Sequence, residues 1–258
     1  MALPLILVTN DDGIVSPGIR TLVQIVKNYG EVVVVAPDSP QSGMGHAVTL
    51  EQPLRINKVK VFEGVEAYET TGTPVDCVKL AKHVVLKNRK IDLCVSGINH
   101  GSNASINIIY SGTMSAAMEA SLEGVNSIGF SFMDFSFDAD MKLIVPYIDF
   151  IIKQVLSRGL PNCKLLNVNI PNPLKIPLQG IRICRQANGR WEEEFVEAVD
   201  PRGQKYYWLA GNFSTTDEEN EDTDLWALRH GYISVVPSGH DITKYEALHS
   251  LTFLETND

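Results

Sequence analysis

The chain has 258 residues, a formal net charge of −9, 44% hydrophobic residues and 21% charged residues. This composition is typical of a soluble globular protein with one large α/β domain, or with a core and a smaller appendage. The acidic balance disfavours a polynucleotide-binding module, because such modules present clustered Lys and Arg to the phosphates.

The cysteines indicate a reducing compartment. Cys77, Cys94, Cys163 and Cys184 lie in apolar stretches without a C-x-x-C pair, which favours buried free thiols over disulfides or a zinc site. The N-terminal stretch lacks the basic region of a signal peptide, and no run approaches the roughly 18 apolar residues of a membrane span. We therefore expect a cytoplasmic protein without a membrane partner.

The first part of the chain predicts a β–α–β unit. "LPLILVT" (residues 3–9) and "EVVVVAP" (31–37) are continuous apolar runs of strand length, typical of strands buried on both faces. Between them, Ser16 is placed to cap a helix, Pro17 suits its first turn and Gly30 ends it. A unit of this length requires a right-handed crossover and a parallel sheet.

Residues 47–70 predict short extended pieces in an antiparallel excursion, and strands and helices then alternate. The later elements are a helix over 72–88 capped by Thr73, a strand over 91–99, a helix over 111–124, a strand over 126–132, a helix over 139–158 and a strand over 164–171. We therefore predict an α/β fold with a Rossmann-like, doubly wound, mostly parallel sheet, which forms a catalytic core over residues 1–172.

The pattern changes after about residue 172. Prolines and short β-like pieces replace the alternation of strand and helix. An acidic run over 214–224 is typical of a solvated loop. We predict that residues 173–258 form a β-rich C-terminal extension used for oligomerisation.

Three polar loops are predicted to meet at one edge of the sheet. They are "NDDG" (10–13), "PDSPQSGMGH" (37–46) and "GINHGSNASINIIYSGT" (97–113), and each follows a predicted strand. Ligands of open parallel sheets bind beyond the carboxyl ends of the strands. His46 and His100 lie in these loops and are candidates for acid–base chemistry or for supporting other site residues.

The adjacent carboxylates of Asp11 and Asp12 suggest a metal ion, because two such charges at a strand end repel each other unless a cation neutralises them. Asp carboxylates, an Asn carbonyl and a Ser hydroxyl are hard oxygen donors that suit Mg²⁺, Mn²⁺ or Ca²⁺. The alternative is that one Asp caps the following turn and the other is solvated. Convergence of the three loops favours the metal.

Ser111, Gly112 and Thr113 stand at the start of a predicted helix. The free N–H groups and positive dipole end of a helix N-terminus suit a phosphate oxyanion, and Gly112 permits a close approach. An ordinary helix cap explains the same residues equally well.

Several motifs together resemble the SurE family (survival protein E) of metal-dependent 5′/3′-nucleotidases. They are "VTNDDG", "VAPD" followed by "QSGMGH", "TGTPVDCV", "VSGINHGSN" and "YSGTMSAAMEA", with "DTDLWALRHGYISVVP" and "HDITKYEAL" later in the chain. The resemblance implies a Rossmann-like core and a 5′-nucleotidase that hydrolyses nucleoside 5′- and 3′-monophosphates to nucleoside and phosphate.

The resemblance also implies the site residues and the assembly. One Mg²⁺ or Mn²⁺ per subunit would bind Asp11, Asp12, Ser42 and Asn99, with Asp11 and Asp12 also catalytic. The phosphate would contact Ser111, Gly112 and Thr113. Family members form homodimers or homotetramers that exchange C-terminal segments.

Three other functions stay open. An aspartyl-phosphate phosphatase usually needs D-x-D-x-[TV] after its first strand, whereas here the acids are adjacent. A non-catalytic sensor could bind the nucleotide or the metal without turnover. A phosphatase could also act on a broader range of phosphate esters or on polyphosphate.

Overall fold

The computed structural model describes residues 3–136 and 138–256. The strands found in these residues are β1 Leu5–Thr9, β2 Glu31–Pro37, β3 Ile56–Val59, β4 Glu66–Thr70, β5 Leu93–His100, β6 Asn126–Phe132, β7 Leu165–Ile170, β8 Gly180–Ile183, β9 Gly189–Val199, β10 Lys205–Thr215 and β11 Tyr232–Ser238. The α-helices are α1 Pro17–Val26, α2 Pro74–Leu80, α3 Asn107–Tyr110, α4 Gly112–Leu122, α5 Val145–Arg158, α6 Asp224–Arg229 and α7 Tyr245–Leu248. A π-helical turn follows α2 over Ala81–Val85, and a 3₁₀ helix follows α7 over His249–Leu254.

The described strands form a nine-stranded sheet in the order β3-β4-β2-β1-β5-β6-β7-β11-β8, and a separate β9–β10 hairpin. The run from β4 to β7 is parallel, whereas β3 and β11 pair antiparallel with β4 and β7. The α/β, Rossmann-like, mostly parallel fold predicted from the sequence is confirmed. Because β8 and β11 extend the main sheet, the chain after residue 172 builds on the core as well as forming the hairpin.

Both faces of the sheet are buried, which explains the unbroken apolar run of β1. Side chains alternate between the two faces of a strand. Ile6 and Val8 pack in the cluster with the apolar faces of α1 and α5, and Leu5 and Leu7 pack in the cluster with α2 and α4. Each such side chain stabilises the fold by about 1.5–3 kcal/mol when fully buried. No helix of the described residues has the length and apolar character to cross a bilayer.

Two strand and helix predictions need correction. The helix predicted over 139–158 begins at Val145, where Pro146 suits a first turn because it has no N–H to donate. The excursion over 47–70 is antiparallel only between β3 and β4, because β4 joins β2 in parallel. Residues 47–50 form no strand.

Ser16 and Thr73 precede α1 and α2, but only Thr73 caps its helix with a side-chain hydrogen bond. Ser16 precedes α1 as predicted, but its Oγ accepts a hydrogen bond from Asn10 Nδ2 at 2.8 Å. Thr73 caps α2 in a capping box, in which its Oγ1 accepts from the Asp76 N–H and Asp76 Oδ2 accepts from the Thr73 N–H. Thr73 Oγ1 also donates to the carbonyl of Ala47 at 2.7 Å.

Thr73→Ala is expected to lower the free energy of unfolding by about 1–2 kcal/mol, because it removes the cap of α2. The loss should appear as a lower urea midpoint with an unchanged m-value. Thr21→Ala is the matched control, since Thr21 lies inside α1 and its hydroxyl bonds to the Pro17 carbonyl of the same helix. Equal midpoints for the two variants would contradict the capping role.

Candidate active site

The three polar loops meet because their strands are neighbours. β1 lies between β2 and β5, with Val8 opposite Val34 and Thr9 opposite Ser96. The Gln41 N–H donates to the Asp11 carbonyl at 2.7 Å, which joins the loop after β2 directly to the loop after β1. The loops after these three strands therefore lie together at the carboxyl edge of the parallel strands.

Asp11 is buried at this edge, with 2% of its surface exposed. Its Oδ1 accepts a hydrogen bond from the Thr113 hydroxyl. A Cβ added at Gly112 would lie 2.7 Å from the Asp11 Cβ. The first turn of α4 is therefore packed against Asp11, and glycine is what permits this approach.

Burial governs the charge of Asp11. Loss of solvent around the carboxylate raises the pKa of Asp11 to about 6, the hydrogen bond from Thr113 lowers it, and the charge of Asp12 raises it. A nearby cation would lower the pKa of Asp11, since a cation favours the ionised form of a carboxyl group. Asp12 is more accessible, and His100 Nδ1 lies 3.3 Å from its Oδ2.

Asn99 is presented by an irregular end of β5. The strand register shifts between Ser96 and Asn99. At Gly97, φ is +122° and an added Cβ would lie 2.4 Å from the Phe130 carbonyl, so a larger residue does not fit. Asn99 Nδ2 donates to the Gly101 carbonyl at 3.0 Å, which fixes the amide and leaves Oδ1 as its possible metal donor.

The donor set fits a hard divalent cation. Asp11 and Asp12 supply carboxylates, Asn99 a carbonyl oxygen and Ser42, in the exposed loop after β2, a hydroxyl. Asn10 directly precedes these carboxylates, and its buried Oδ1 has no hydrogen-bond partner among the described residues. Those residues contain no group of three or more His, Cys, Asp and Glu that could hold a metal, so an ion here would need the hydroxyl and amide oxygens as well.

The sequence allowed two interpretations of residues 111–113, an ordinary helix cap and a phosphate-binding helix N-terminus. The start of α4 has features of both. Ser111 Oγ caps the helix by accepting from the Met114 N–H at 3.0 Å. The Thr113 hydroxyl is engaged by Asp11. The N–H groups of the first helical turn have no acceptor within the helix, and Gly112 and Thr113 stand in that turn beside Asp11. The observed cap is therefore compatible with an anion at the N–H groups of this turn.

A buried polar network that sequence reasoning missed supports the loop after β5. Asn169 Oδ1 accepts from the Asn103 N–H at 2.7 Å, and Asn167 Nδ2 donates to the Asn103 carbonyl at 2.8 Å. The fully buried Asp224 accepts from the Ser105 N–H at 2.8 Å. The alternation of Asn and apolar residues in "NVN" of β7 is the signal that could have pointed to it.

Comparison with known proteins identifies the family. The family model described as "Survival protein SurE" matches residues 6–193. The chain belongs to the SurE family. The resemblance noted from the sequence motifs is thereby confirmed.

Individual SurE proteins match nearly the whole chain. The protein named 5′-nucleotidase SurE of Cytophaga hutchinsonii is 57% identical over 251 residues, or 97% of this chain and 96% of that protein. The protein of the same name from Flavobacterium psychrophilum is 54% identical over 258 residues, or 100% of this chain and 100% of that protein. The crystal structure of the SurE protein from Aquifex aeolicus matches with a TM-score of 0.82 and 40% identity, covering 98% of this chain and 100% of that one.

The raised pKa of Asp11 predicts a pH-dependent stability of the metal-free protein. The folded value is about 6 and the reference value is 3.8, so the folded state binds the proton more tightly than the unfolded state. The free energy of unfolding should therefore fall by about 3 kcal/mol, relative to Asp11→Asn, as the pH rises from about 3 to about 7. Urea titrations of both proteins in chelator test this, and parallel pH profiles would contradict it.

Proposed function

We propose that this SurE-family chain is a divalent-metal-dependent phosphatase that hydrolyses nucleoside 5′- and 3′-monophosphates to nucleoside and phosphate. The observation that carries the proposal is the buried Asp11 at the end of β1, joined through Thr113 to the N-terminus of α4. One edge of the sheet thus offers hard oxygen donors next to an anion-binding helix end. The names of the relatives, 5′-nucleotidase SurE, support the same activity.

One Mg²⁺ or Mn²⁺ per subunit would be held by carboxylate, hydroxyl and amide oxygens. The ligands we assign are Asp11, Asp12, Ser42 and Asn99. When bound, the ion polarises the phosphoryl group and lowers the pKa of a water molecule. The chain supplies the orientation, because Thr113 fixes Asp11 and the Gly101 carbonyl fixes Asn99.

We assign acceptance of the attacking water's proton to Asp12. Asp11 Oδ1 is engaged by Thr113, whereas the Asp12 side chain is 20% exposed. His100 contacts Asp12 and restrains its carboxylate. The phosphate oxygens would meet the N–H groups of Gly112 and Thr113 and the hydroxyl of Ser111, which stabilise charge that develops during the reaction.

Phosphate release from AMP tests the proposal. Release is expected with Mn²⁺ or Mg²⁺ and should be lost on addition of chelator and restored by excess metal. A panel of 5′- and 3′-nucleotides, a simple aryl phosphate and polyphosphate then separates a nucleotidase from a phosphatase of broader specificity. Tight AMP binding without turnover would contradict the proposal and favour a sensor, and a trapped phosphoenzyme would favour an aspartyl-phosphate mechanism.

We also propose a cytoplasmic homodimer or homotetramer built through the extension. The β9–β10 hairpin exposes large apolar side chains, with Phe195 68% and Trp208 64% exposed. Such surfaces mark interaction sites in soluble proteins. Light scattering tests the assembly, and a monomer at micromolar concentration would contradict it.

The cysteines support the cytoplasmic location. The free cysteines, of which Cys77, Cys94 and Cys184 are buried, suit a reducing compartment.

A further inference from the structure

The loop that carries Ser42 is tied down on both sides of an exposed tip. On one side, the Gln41 N–H donates to the Asp11 carbonyl at 2.7 Å. On the other, Thr73 Oγ1 donates to the Ala47 carbonyl at 2.7 Å. Ser42 and the two residues after it are exposed. The path of the chain between these two anchors, which includes Ser42, therefore also depends on what holds residues 45 and 46.

Two contacts hold that part of the loop. The Gly45 N–H donates to the Tyr110 carbonyl at 3.2 Å. His46 Nε2 lies 3.0 Å from Oε2 of Glu119. The backbone contact is a single hydrogen bond near the upper end of the usual distance range, so the side-chain contact of His46 is a main restraint.

Glu119 is a buried carboxylate that contacts two side chains. Its side chain is only 5% exposed, although it is ionisable. Lys79 of α2 pairs with its Oε1, while His46 takes Oε2. Removing one partner from a buried charge is costly, because water does not replace the lost contact well. The contact with Glu119 thus holds the His46 side chain against α4.

The same helix also fixes Asp11. Thr113, in the first turn of α4, donates to Asp11 Oδ1, and Glu119 lies further along α4 and binds His46. The same helix therefore contacts both Asp11 and the far side of the Ser42 loop, in addition to the direct backbone bond between Gln41 and Asp11. We propose that His46 is a positioning residue of the metal site, which acts through Glu119 to hold Ser42 opposite Asp11. This inference rests on the proposed role of Ser42 as a metal ligand.

Manganese binding to the metal-free protein tests this role by isothermal titration calorimetry. His46→Ala should weaken Mn²⁺ affinity about 10-fold, the lower end of the usual cost of losing a residue that supports a metal ligand. His46→Gln should stay close to wild type, because its side-chain amide can donate to Glu119. Amide hydrogen exchange of residues 42–46 should accelerate in the alanine variant and not in the glutamine variant.

Two further variants keep the test decisive. His83→Ala is the matched control, since His83 is an exposed histidine 3.5 Å from Glu123, which directly follows α4. The Mn²⁺ affinity of this variant should equal that of wild type. Glu119→Gln removes the charge that attracts His46 and should weaken Mn²⁺ binding as His46→Ala does, which provides a second reading if the alanine variant does not fold.

The outcomes separate this inference from the proposed function. The affinity of the wild-type chain for Mn²⁺, with its release of phosphate from AMP, reports on the proposed function. The ratio of variant to wild-type affinity reports on His46. Unchanged Mn²⁺ affinity in His46→Ala, or equal losses in the alanine and glutamine variants, would overturn the positioning role while leaving the nucleotidase proposal intact. A wild-type chain that binds no Mn²⁺ would overturn both.

Discussion

Asp11→Asn is expected to lower kcat for AMP by more than about 100-fold while the protein stays folded. Loss of a residue that only supports a metal ligand typically costs 10–100-fold, and the loss of a buried carboxylate ligand should exceed that range. The variant retains an oxygen that can accept the Thr113 hydroxyl, so the contact with α4 survives. Steady-state phosphate release at saturating Mn²⁺ gives kcat, and circular dichroism reports the fold.

The control for this variant is Asp140→Asn, an exposed aspartate distant in sequence from the proposed ligands. It should keep wild-type turnover. Without metal and above pH 6, Asp11→Asn should be at least as resistant to urea as wild type, because it removes a buried carboxylate whose pKa is raised to about 6. Wild-type turnover in Asp11→Asn would remove Asp11 from the mechanism.

Gly112→Ala is expected to lower kcat/KM by about 100-fold through displacement of α4. The added Cβ would lie 2.7 Å from the Asp11 Cβ and 3.1 Å from the Pro74 Cγ, and contacts shorter than normal van der Waals separation force one side to move. Misplacement of a reacting group by about 1 Å costs on the order of 100-fold in rate. Alanine is also a better helix former than glycine, so a loss of helix would not explain the result.

Gly239→Ala is the matched control for the glycine variant, since an added Cβ there meets nothing within 4 Å. Its activity and melting temperature should match those of wild type. A Gly112→Ala protein with wild-type kcat/KM would show that the approach of α4 to Asp11 is not required for catalysis.

The central part of the fold is predictable because its signals are local. Apolar runs such as that of β1 mark strands buried on both faces, and Thr73 with Pro74 marks a helix start. The predicted start of this helix at residue 139 was wrong, since α5 begins at Val145 and amphipathic spacing extends upstream of its first turn. The parallel pairing of β4 with β2 depends on neighbours distant in sequence, which periodicity does not report.

The candidate site was likewise predictable only where its signals are local in the sequence. The polar loops after β1, β2 and β5 were placed at one edge because these strands were predicted to be parallel, and the structure brings them there. The hydrogen bond between Thr113 and Asp11 joins residues 102 positions apart, and that between His46 and Glu119 joins residues 73 apart. Such pairs follow from the packing of α4 against the loops. A glutamate among the small residues of "SAAMEA" looks like a solvent-facing position until the helix is packed.

Anomalous diffraction from crystals of the chain grown with Mn²⁺ tests the proposed metal site most directly. We expect a peak at the carboxyl edge of β1, within about 2.0–2.6 Å of carboxylate oxygens of Asp11 and Asp12 and close to Ser42 Oγ and Asn99 Oδ1. Crystals that contain Mn²⁺ at saturating concentration but show no peak between these four side chains would contradict a metal-dependent phosphatase at this site.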